Sequence, residues 1–171
     1  MTDGPPDSAL PDGRSVGGET ANGEPSGGPV PDITRQVTRG AARLFEDLGC
    51  AVVTEFALAN GRRADVAALA GDGQIALVEV KSGVPDFRSD AKWPEYLEFC
   101  DAFYFAVAPE FPRELLPDAD TCGVIVADAW EATILRPAPV RKLPAARRRA
   151  VTVRLARVAA QRLRALIDPR I

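Results

Sequence analysis

The chain has 171 residues and a net charge of −3, so it can hold one domain of ordinary size with a substantial core. It contains no histidine, which excludes imidazole metal ligands, zinc sites of Cys and His, and His-activated nucleophiles. The three cysteines, Cys50, Cys100 and Cys122, are widely spaced and form no CxxC pair, so we expect reduced core residues. Catalysis would therefore depend on carboxylates, lysine, hydroxyls or a hard metal ion.

Residues 1–31 are rich in Gly, Pro, Ser and Asp and nearly lack large apolar side chains, which predicts a disordered acidic tail. They lack the basic start and apolar run of a signal peptide, and no later stretch has the character of a membrane span. We therefore expect a soluble cytoplasmic protein with one folded domain over residues 32–171 and no membrane contact.

Hydrophobic periodicity and turn residues predict the order of elements in the domain. The predicted elements are a helix over 32–48, strands over 51–58, 63–70 and 74–81, two short helices or a kink around Pro94, strands over 102–108, 123–127 and 131–135, and a helix over 147–167. Asp32 and Asp86 are the expected caps of the first two helices. Both faces of the strands over 63–70 and 74–81 are largely apolar, so helices must cover the sheet on both sides. The predicted fold class is α/β, with a mixed central sheet between helices.

Two predicted strands that form a hairpin bring three charged residues together. Asp65 and Glu79 are equidistant from Asp72, so a symmetric three-residue turn over 71–73 sets them opposite each other, with Cβ atoms about 4.5–5.5 Å apart. Lys81 follows Glu79 by two residues and projects from the same face. Facing carboxylates destabilise a sheet, so this patch indicates a divalent cation and a phosphate between them. A bulge at the turn would shift this register.

A divalent cation would find its ligands in this patch. Mg²⁺, or Mn²⁺ in its place, prefers carboxylates, waters and phosphate oxygens, and Asp65 and Glu79 would bind it together with the carbonyl of Val80. Lys81 would orient or deprotonate a metal-bound water, or hold the phosphate. The alternative is an ordinary ion pair on a solvated sheet face.

Glu55 is a candidate third catalytic carboxylate, and its position depends on the length of the Asn60-Gly61 loop. A two-residue loop sets Phe56 opposite Asp65 and turns Glu55 to the other face. A three-residue loop sets Glu55 opposite Asp65 instead. The sequence leaves both registers open.

Basic and aromatic residues near this patch are candidate DNA contacts. Arg62 and Arg63 flank the acidic pair and would hold phosphate or merely balance the carboxylates. Lys92 and Tyr96 lie one helical turn apart and would face the same cleft. Trp93 would stack on a base or sugar, although packing of Trp93 and Tyr96 against the sheet is an equal alternative.

The C-terminal part of the chain is strongly basic. Residues 136–171 contain eleven arginines and lysines and one acid, so the rest of the chain is acidic. In the last predicted helix, Arg147, Arg154, Arg157 and Arg164 fall near one side, and Val151, Leu155, Val158, Leu163 and Leu166 near another. These arginines would bind several phosphates without sequence preference, or form a solvated face.

Several motifs together resemble the PD-(D/E)xK nuclease superfamily: Glu55, then Gly61-Arg-Arg-Ala-Asp-Val66, then Val78-Glu-Val-Lys-Ser82. More narrowly, two stretches resemble the MmcB family of bacterial DNA repair endonucleases: Asp86-Phe-Arg-Ser-Asp-Ala-Lys-Trp-Pro-Glu-Tyr96 and Cys100-Asp-Ala-Phe-Tyr-Phe-Ala-Val107. The resemblance covers about residues 33–166.

The resemblance implies a restriction-endonuclease-like core, magnesium-dependent phosphodiester cleavage and a role in DNA repair or damage tolerance at the nucleoid. Asp65, Glu79 and Lys81 match the acid, acid and lysine positions of the superfamily. Ala64 stands where the nominal motif has proline. Ser82, which follows the motif lysine, joins the DNA contacts in this interpretation.

The leading hypothesis is a Mg²⁺- or Mn²⁺-dependent endonuclease that cleaves branched or single-stranded DNA. The second hypothesis is a non-catalytic adaptor with the same fold, which recruits repair or lesion-bypass proteins. The third is a DNA- or RNA-binding module without chemistry.

Overall fold

The computed structural model describes residues 32–169, and the tail predicted for residues 1–31 lies outside them. The helices and strands, in chain order, are α1 Ile33–Asp47, β1 Ala51–Ala57, β2 Arg63–Leu69, β3 Ile75–Lys81, α2 Val84–Ser89, β4 Ala102–Val107, β5 Gly123–Ala127, β6 Ala132–Arg136 and α3 Ala145–Ile167. Two 3₁₀ helices, Trp93–Phe99 and Arg113–Leu115, flank β4 in the chain. The predicted break around Pro94 is confirmed, because α2 and the first 3₁₀ helix are separate.

The strands form one open sheet in the order β1-β2-β3-β4-β5-β6. β3, β4 and β5 run parallel, and the other neighbouring pairs are antiparallel. Each parallel pair needs a crossover, and these crossovers carry α2 and the two 3₁₀ helices. The predicted α/β class with a mixed central sheet is confirmed, and the arrangement is consistent with a restriction-endonuclease-like core.

The two faces of the sheet are covered by different elements. α1 packs on one face through Val37, Ala41 and Phe45. The 3₁₀ helix Trp93–Phe99 and the first half of α3 cover the other face. The prediction that helices cover both faces of the sheet is therefore confirmed.

The two helix caps predicted from aspartates have different outcomes. Asp32 caps α1, and its side chain accepts the N–H three residues later at 3.3 Å. Asp86 does not cap α2, because α2 begins after Gly83 and has Pro85 in its first turn, a position that suits proline. The Asp86 carboxylate instead accepts the N–H and hydroxyl of Ser82 at 3.1 and 3.2 Å.

The fully buried side chains of α3 lie in its first half. Val151 and Leu155 are buried, whereas Leu163 and Leu166 are 58% and 82% exposed. The apolar side predicted for this helix therefore extends beyond the part that the domain covers, because β1 is an edge strand and the sheet offers no further strand. Neither α3 nor any other helix among residues 32–169 is long and apolar enough to cross a membrane.

A buried carboxylate joins three separate segments. Asp101, just before β4, is 2% exposed and accepts the N–H groups of Ile75 and Leu143, each at 2.8 Å. Arg148 of α3 completes a bidentate pair with it at 2.6 and 2.7 Å. Burial alone would raise the pKa of Asp101, but the bonds from Arg148 and the two N–H groups hold it below its ordinary value. One side chain therefore fixes β3 and α3 relative to β4.

Replacing Asp101 by Asn tests this junction. At pH 7 we expect the free energy of unfolding to fall by about 3 kcal/mol, because Arg148 loses its charge partner. A carboxylate with a depressed pKa stabilises the fold above its unfolded pKa, and this contribution is lost as the pH falls through the folded value. The difference between wild type and variant should therefore narrow below about pH 4.

Urea unfolding of wild type and Asp101→Asn, at pH 7 and below about pH 4, measures the difference in their free energies of unfolding. Asp118→Asn, at an exposed position, is the matched control and should change the free energy of unfolding by less than about 0.5 kcal/mol. Equal losses in the free energy of unfolding of Asp101→Asn and Asp118→Asn would show that Asp101 does not hold these segments together.

Candidate functional site

The β2–β3 hairpin has the symmetric three-residue turn that the sequence predicts. The Ala70 N–H donates to the Gln74 carbonyl at 2.9 Å, and Gly73 has a φ of +84°, which glycine adopts without strain. The strands pair in the register that sets Asp65 opposite Glu79. The predicted register is confirmed, and no bulge shifts it.

β2 and β3 separate at Asp65. Their backbone pairing ends at Val66 and Val78, and the Asp65 Oδ2 accepts the Val80 N–H at 2.7 Å. The carboxylate thus takes the place of a backbone acceptor and is held against β3. Burial raises the pKa of Asp65, the Val80 N–H opposes this effect, and the charge of Glu55 adds to it.

Lys81 is buried between two carboxylates. Its Nζ lies 2.7 Å from Asp90 Oδ2 and 3.2 Å from Glu79 Oε1, and the residue is 3% exposed. Burial alone would lower the pKa of Lys81, but the hydrogen bond to Asp90 and the charge of Glu79 outweigh it, so the pKa is raised. The ammonium therefore stays charged, which favours orienting or holding a ligand over proton abstraction.

Glu79 has one oxygen bonded and one without a partner. Its Oε1 accepts from Lys81, whereas its Oε2 is buried and has no hydrogen-bond partner among the described residues. Burial raises the pKa of Glu79 to about 7, with a contribution from the charge of Asp65. Tyr96 also lies beside Glu79, but its hydroxyl has one proton and donates it to the Arg63 carbonyl at 3.0 Å. Burial and the charge of Glu79 raise the pKa of that hydroxyl. A buried acceptor thus remains at the centre of the site.

The β1–β2 loop has three residues, which decides the register of Glu55. The Leu58 N–H donates to the Arg62 carbonyl at 2.7 Å, and the flanking pairs set Glu55 opposite Asp65. The Glu55 side chain nevertheless pairs with Arg63, with 2.7 Å between Oε2 and Nε, and is half-exposed. Its carboxylate is therefore neutralised beside the acidic pair.

β1 and β2 both change face at Glu55 and Asp65. Phe56 and Ala64 pack in the cluster under the 3₁₀ helix and α3, whereas Val66 packs under α1. Simple alternation predicts that Ala64 and Val66 share a face, which is wrong here. Glu55 has a φ of +50°, a left-handed conformation that costs a residue other than glycine about 1–3 kcal/mol. Backbone strain therefore lies directly beside the acidic pair.

The candidate DNA contacts near the acidic pair are largely engaged within the protein. Arg62 forms a bidentate pair with Glu95 at 2.9 and 3.0 Å. Ser82 donates to a carboxylate of α2, and the side chain of Lys92 is exposed. These contacts favour the interpretation in which Arg62 and Arg63 balance carboxylates.

Trp93 and Tyr96 pack against the sheet. Both rings stack on Phe103 with centroid distances of 5.7 Å, and Tyr96 is 5% exposed. Trp93 also meets Phe105 edge to face. Of the two alternatives that the sequence leaves open, packing is the one these contacts support.

The arginines of α3 make different kinds of contact. Arg154 and Arg162 donate to backbone carbonyls on the free edge of β1 at 2.5 to 2.9 Å. Arg147 pairs with Glu98 at 3.5 Å, and Arg157 has no ion pair or side-chain hydrogen bond among the described residues. Phosphate binding by Arg147, Arg154 and Arg157 stays a prediction.

Asp90 belongs to the site, whereas the sequence predicts it only as a less direct neighbour of Lys92 and Tyr96 in their cleft. It lies at the C-cap of α2, in the break before Pro94, and contacts Lys81. The sequence indicates it only by position, because Asp90 is an acidic residue at the point where the chain turns back over the end of β3. Among the described residues, no group of three or more His, Cys, Asp and Glu side chains surrounds a common cation position.

The family described as "DNA repair protein MmcB-like" matches residues 23–170. The chain belongs to the MmcB-like family. A solved structure, "SPO1766 protein of unknown function from Silicibacter pomeroyi", is 45% identical, with a TM-score of 0.76 over 80% of this chain and 92% of that chain. None of the curated proteins matches the chain at a significant level. Membership indicates a role in DNA repair and contact with DNA.

Replacing Glu79 by Gln tests the electrostatic conflict in the site. A carboxyl whose folded pKa is raised stabilises the fold fully below its unfolded pKa of about 4.3, and this contribution is lost as the pH rises through the folded value. In EDTA at pH 8, we expect Glu79→Gln to raise the free energy of unfolding by about 2 kcal/mol, because the variant has no carboxyl at position 79 to ionise in a buried place. At about pH 4 the gain should vanish.

Urea unfolding at both pH values measures the effect. Glu114→Gln, at an exposed position, is the matched control and should show no gain at pH 8. Destabilisation of Glu79→Gln at pH 8 would mean that the Glu79 carboxylate is well satisfied in the folded protein.

Proposed function

We propose that the site of Asp65, Glu79 and Lys81 hydrolyses DNA phosphodiester bonds with a divalent cation, in the manner of the PD-(D/E)xK superfamily. The observation that carries this proposal is the buried Glu79 Oε2, which has no hydrogen-bond partner among the described residues. A buried acceptor without a partner costs about 1–3 kcal/mol, and more when it is charged. A cation would relieve this cost together with the repulsion between Glu79 and Asp65.

The donor set fits Mg²⁺ or Mn²⁺. Asp65 uses one oxygen for the Val80 N–H, which leaves the other for a ligand, and Glu79 offers Oε2. Magnesium needs only one or two protein carboxylates, with waters and phosphate oxygens as its remaining ligands. The Val80 carbonyl and the Glu55 carboxylate are further candidates. When bound, the cation would supply Lewis acidity and a more acidic water.

Lys81 would act through its positive charge. Its raised pKa keeps Nζ protonated, and an ammonium group donates hydrogen bonds to phosphate oxygens. Asp90, 2.7 Å from Nζ, fixes the position of the ammonium and offsets part of its charge. Lys81 therefore orients a phosphate or a water, and a different acceptor takes the proton of the attacking water.

The substrate we propose is branched or single-stranded DNA that arises during repair. The exposed side chains of Arg63 and Lys92 border the open end of β2 and β3 and would meet its phosphates. This contact requires Arg63 to exchange Glu55 for a phosphate oxygen, which is an inexpensive exchange for an exposed ion pair.

A non-catalytic adaptor that binds DNA and recruits repair proteins is the second candidate. Two observations favour it: Lys81 is already paired with two carboxylates, and Glu55 is paired with Arg63. In that case the acidic pair and lysine would serve as a structural ion network. DNA affinity would then be unaffected by loss of the acidic pair.

A cleavage assay separates the two functions. Flapped, branched and single-stranded DNA should be cleaved in Mg²⁺ or Mn²⁺ and remain intact in EDTA. Asp65→Asn and Glu79→Gln should each lower the rate by at least about 100-fold, since the cation contributes several kcal/mol to the transition state. Glu114→Gln should retain the wild-type rate. Absence of any cleavage above the Asp65→Asn background would leave the adaptor as the function.

Calorimetric titration with Mn²⁺ tests the cation independently of DNA. We expect saturable binding to the wild-type protein and its loss in Asp65→Asn. Binding should weaken below about pH 6, because protons compete for a carboxyl with a raised pKa. Equal heats for wild type and Asp65→Asn would rule out this site for the cation.

A further inference from the structure

A groove of about 780 Å³ lies between α3 and the β1–β2 loop. Its floor is apolar: Phe56, Leu58 and Phe99 are nearly buried at its base, and Val153, which is 51% exposed, also lines it. Three arginines of α3 line it: Arg147, Arg154 and Arg157. No acidic residue is among the described residues that line this groove. The groove therefore combines an apolar floor with charge of one sign.

The arginines retain donors for an anion. Arg157 makes no ion pair or side-chain hydrogen bond among the described residues. Arg154 donates to the Ala57 carbonyl through Nε, and its two terminal nitrogens make no hydrogen bond among the described residues. Arg147 lies over the Phe99 ring at 4.9 Å, and its contact with Glu98 at 3.5 Å is long and exposed. Such an exposed contact holds an arginine only weakly.

The chemistry of the groove distinguishes between forms of nucleic acid. In a duplex the apolar faces of the bases are stacked inside, so a duplex presents mainly phosphate and sugar to a protein. An unpaired nucleotide carries both a flat apolar face and a phosphate, which match an apolar floor and an arginine rim. An acidic peptide would satisfy the rim but would leave the floor uncovered.

The groove and the acidic pair lie on neighbouring strands, since the groove is lined by β1 and the β1–β2 loop and the acidic pair belongs to β2 and β3. Phe56, on the groove floor, follows Glu55 in β1 and pairs with Ala64 of β2, the neighbour of Asp65. Phe56 and Ala64 also pack on the same side of the sheet as Leu77 of β3. A strand leaving the groove along β1 therefore arrives at the acidic pair.

We propose that this groove binds unpaired nucleotides of single-stranded DNA and presents the strand to the acidic pair. The inference names the form of the substrate and rests on the proposed function only for the second step. Binding itself requires neither a cation nor cleavage.

Fluorescence anisotropy in EDTA tests the binding step. A labelled thymidine oligonucleotide of about 16 residues is compared with a hairpin duplex of equal charge. We expect the full chain to bind the single strand at least about fivefold more tightly than the duplex at physiological salt.

Two variants separate the rim from the floor. Arg157→Ala should weaken single-strand binding by about five- to tenfold and reduce its salt dependence by about one charge. Ala150→Trp fills the groove from an exposed position without a change of charge. It should weaken single-strand binding by a similar factor and leave duplex binding unchanged. Circular dichroism confirms that each variant is folded.

Arg149→Ala is the matched control, since Arg149 is an exposed arginine of α3 outside the groove. It should change affinity by less than about twofold. Equal affinity for single strand and duplex, or equal losses in Arg157→Ala and Arg149→Ala, would overturn the proposal. So would displacement of the oligonucleotide by a polyglutamate peptide at equal charge concentration.

The assay also distinguishes this inference from the proposed nuclease activity. Selective single-strand binding without cleavage would contradict the nuclease and leave the groove assignment intact. Cleavage by Arg157→Ala and Ala150→Trp at the wild-type rate and affinity would support the nuclease and overturn the groove.

Discussion

The carboxylate of Asp101 determines how the functional elements are placed. It binds the first N–H of β3, the chain before α3 and the guanidinium of Arg148, all from a position that water does not reach. β3 carries two residues of the acidic site, and α3 carries the arginine rim of the groove. A bidentate pair fixes direction as well as distance, so the Asp101–Arg148 pair orients β3 and α3 relative to each other. Loss of this pair would disturb the site and the groove together.

The acidic site departs from the regularity of the sheet around it. β2 and β3 stop pairing at Asp65, β1 and β2 change face there, and Glu55 adopts a strained backbone conformation. Glu79 adds a buried oxygen without a partner among the described residues. Each feature costs stability, and their concentration in one place is typical of a site selected for function. The same residues would gain most from a bound cation.

The sequence predicts the parts of the structure that depend on local geometry. The register of Asp65 and Glu79 follows from a turn whose centre is fixed by two glycines, and the break at Pro94 follows from the chemistry of proline. The position of Glu55 does not follow, since loops of two and three residues both accommodate Asn-Gly. The partners of Asp101 come from distant segments, and no local pattern identifies them. Tyr96 and Trp93 likewise pack on Phe103 of β4, a contact outside their own helix that the sequence does not reveal.

The arginines that reach β1 have a consequence for the behaviour of the whole protein in solution. β1 is the outer strand of an open sheet, and such a strand can template the addition of strands from other molecules. Arg154 and Arg162 occupy three of its outward carbonyls and place fixed positive charge along that border. A second copy that approached in extended form would meet cations in place of open acceptors. The basic helix therefore also protects the β1 edge of the sheet from the addition of strands by other molecules.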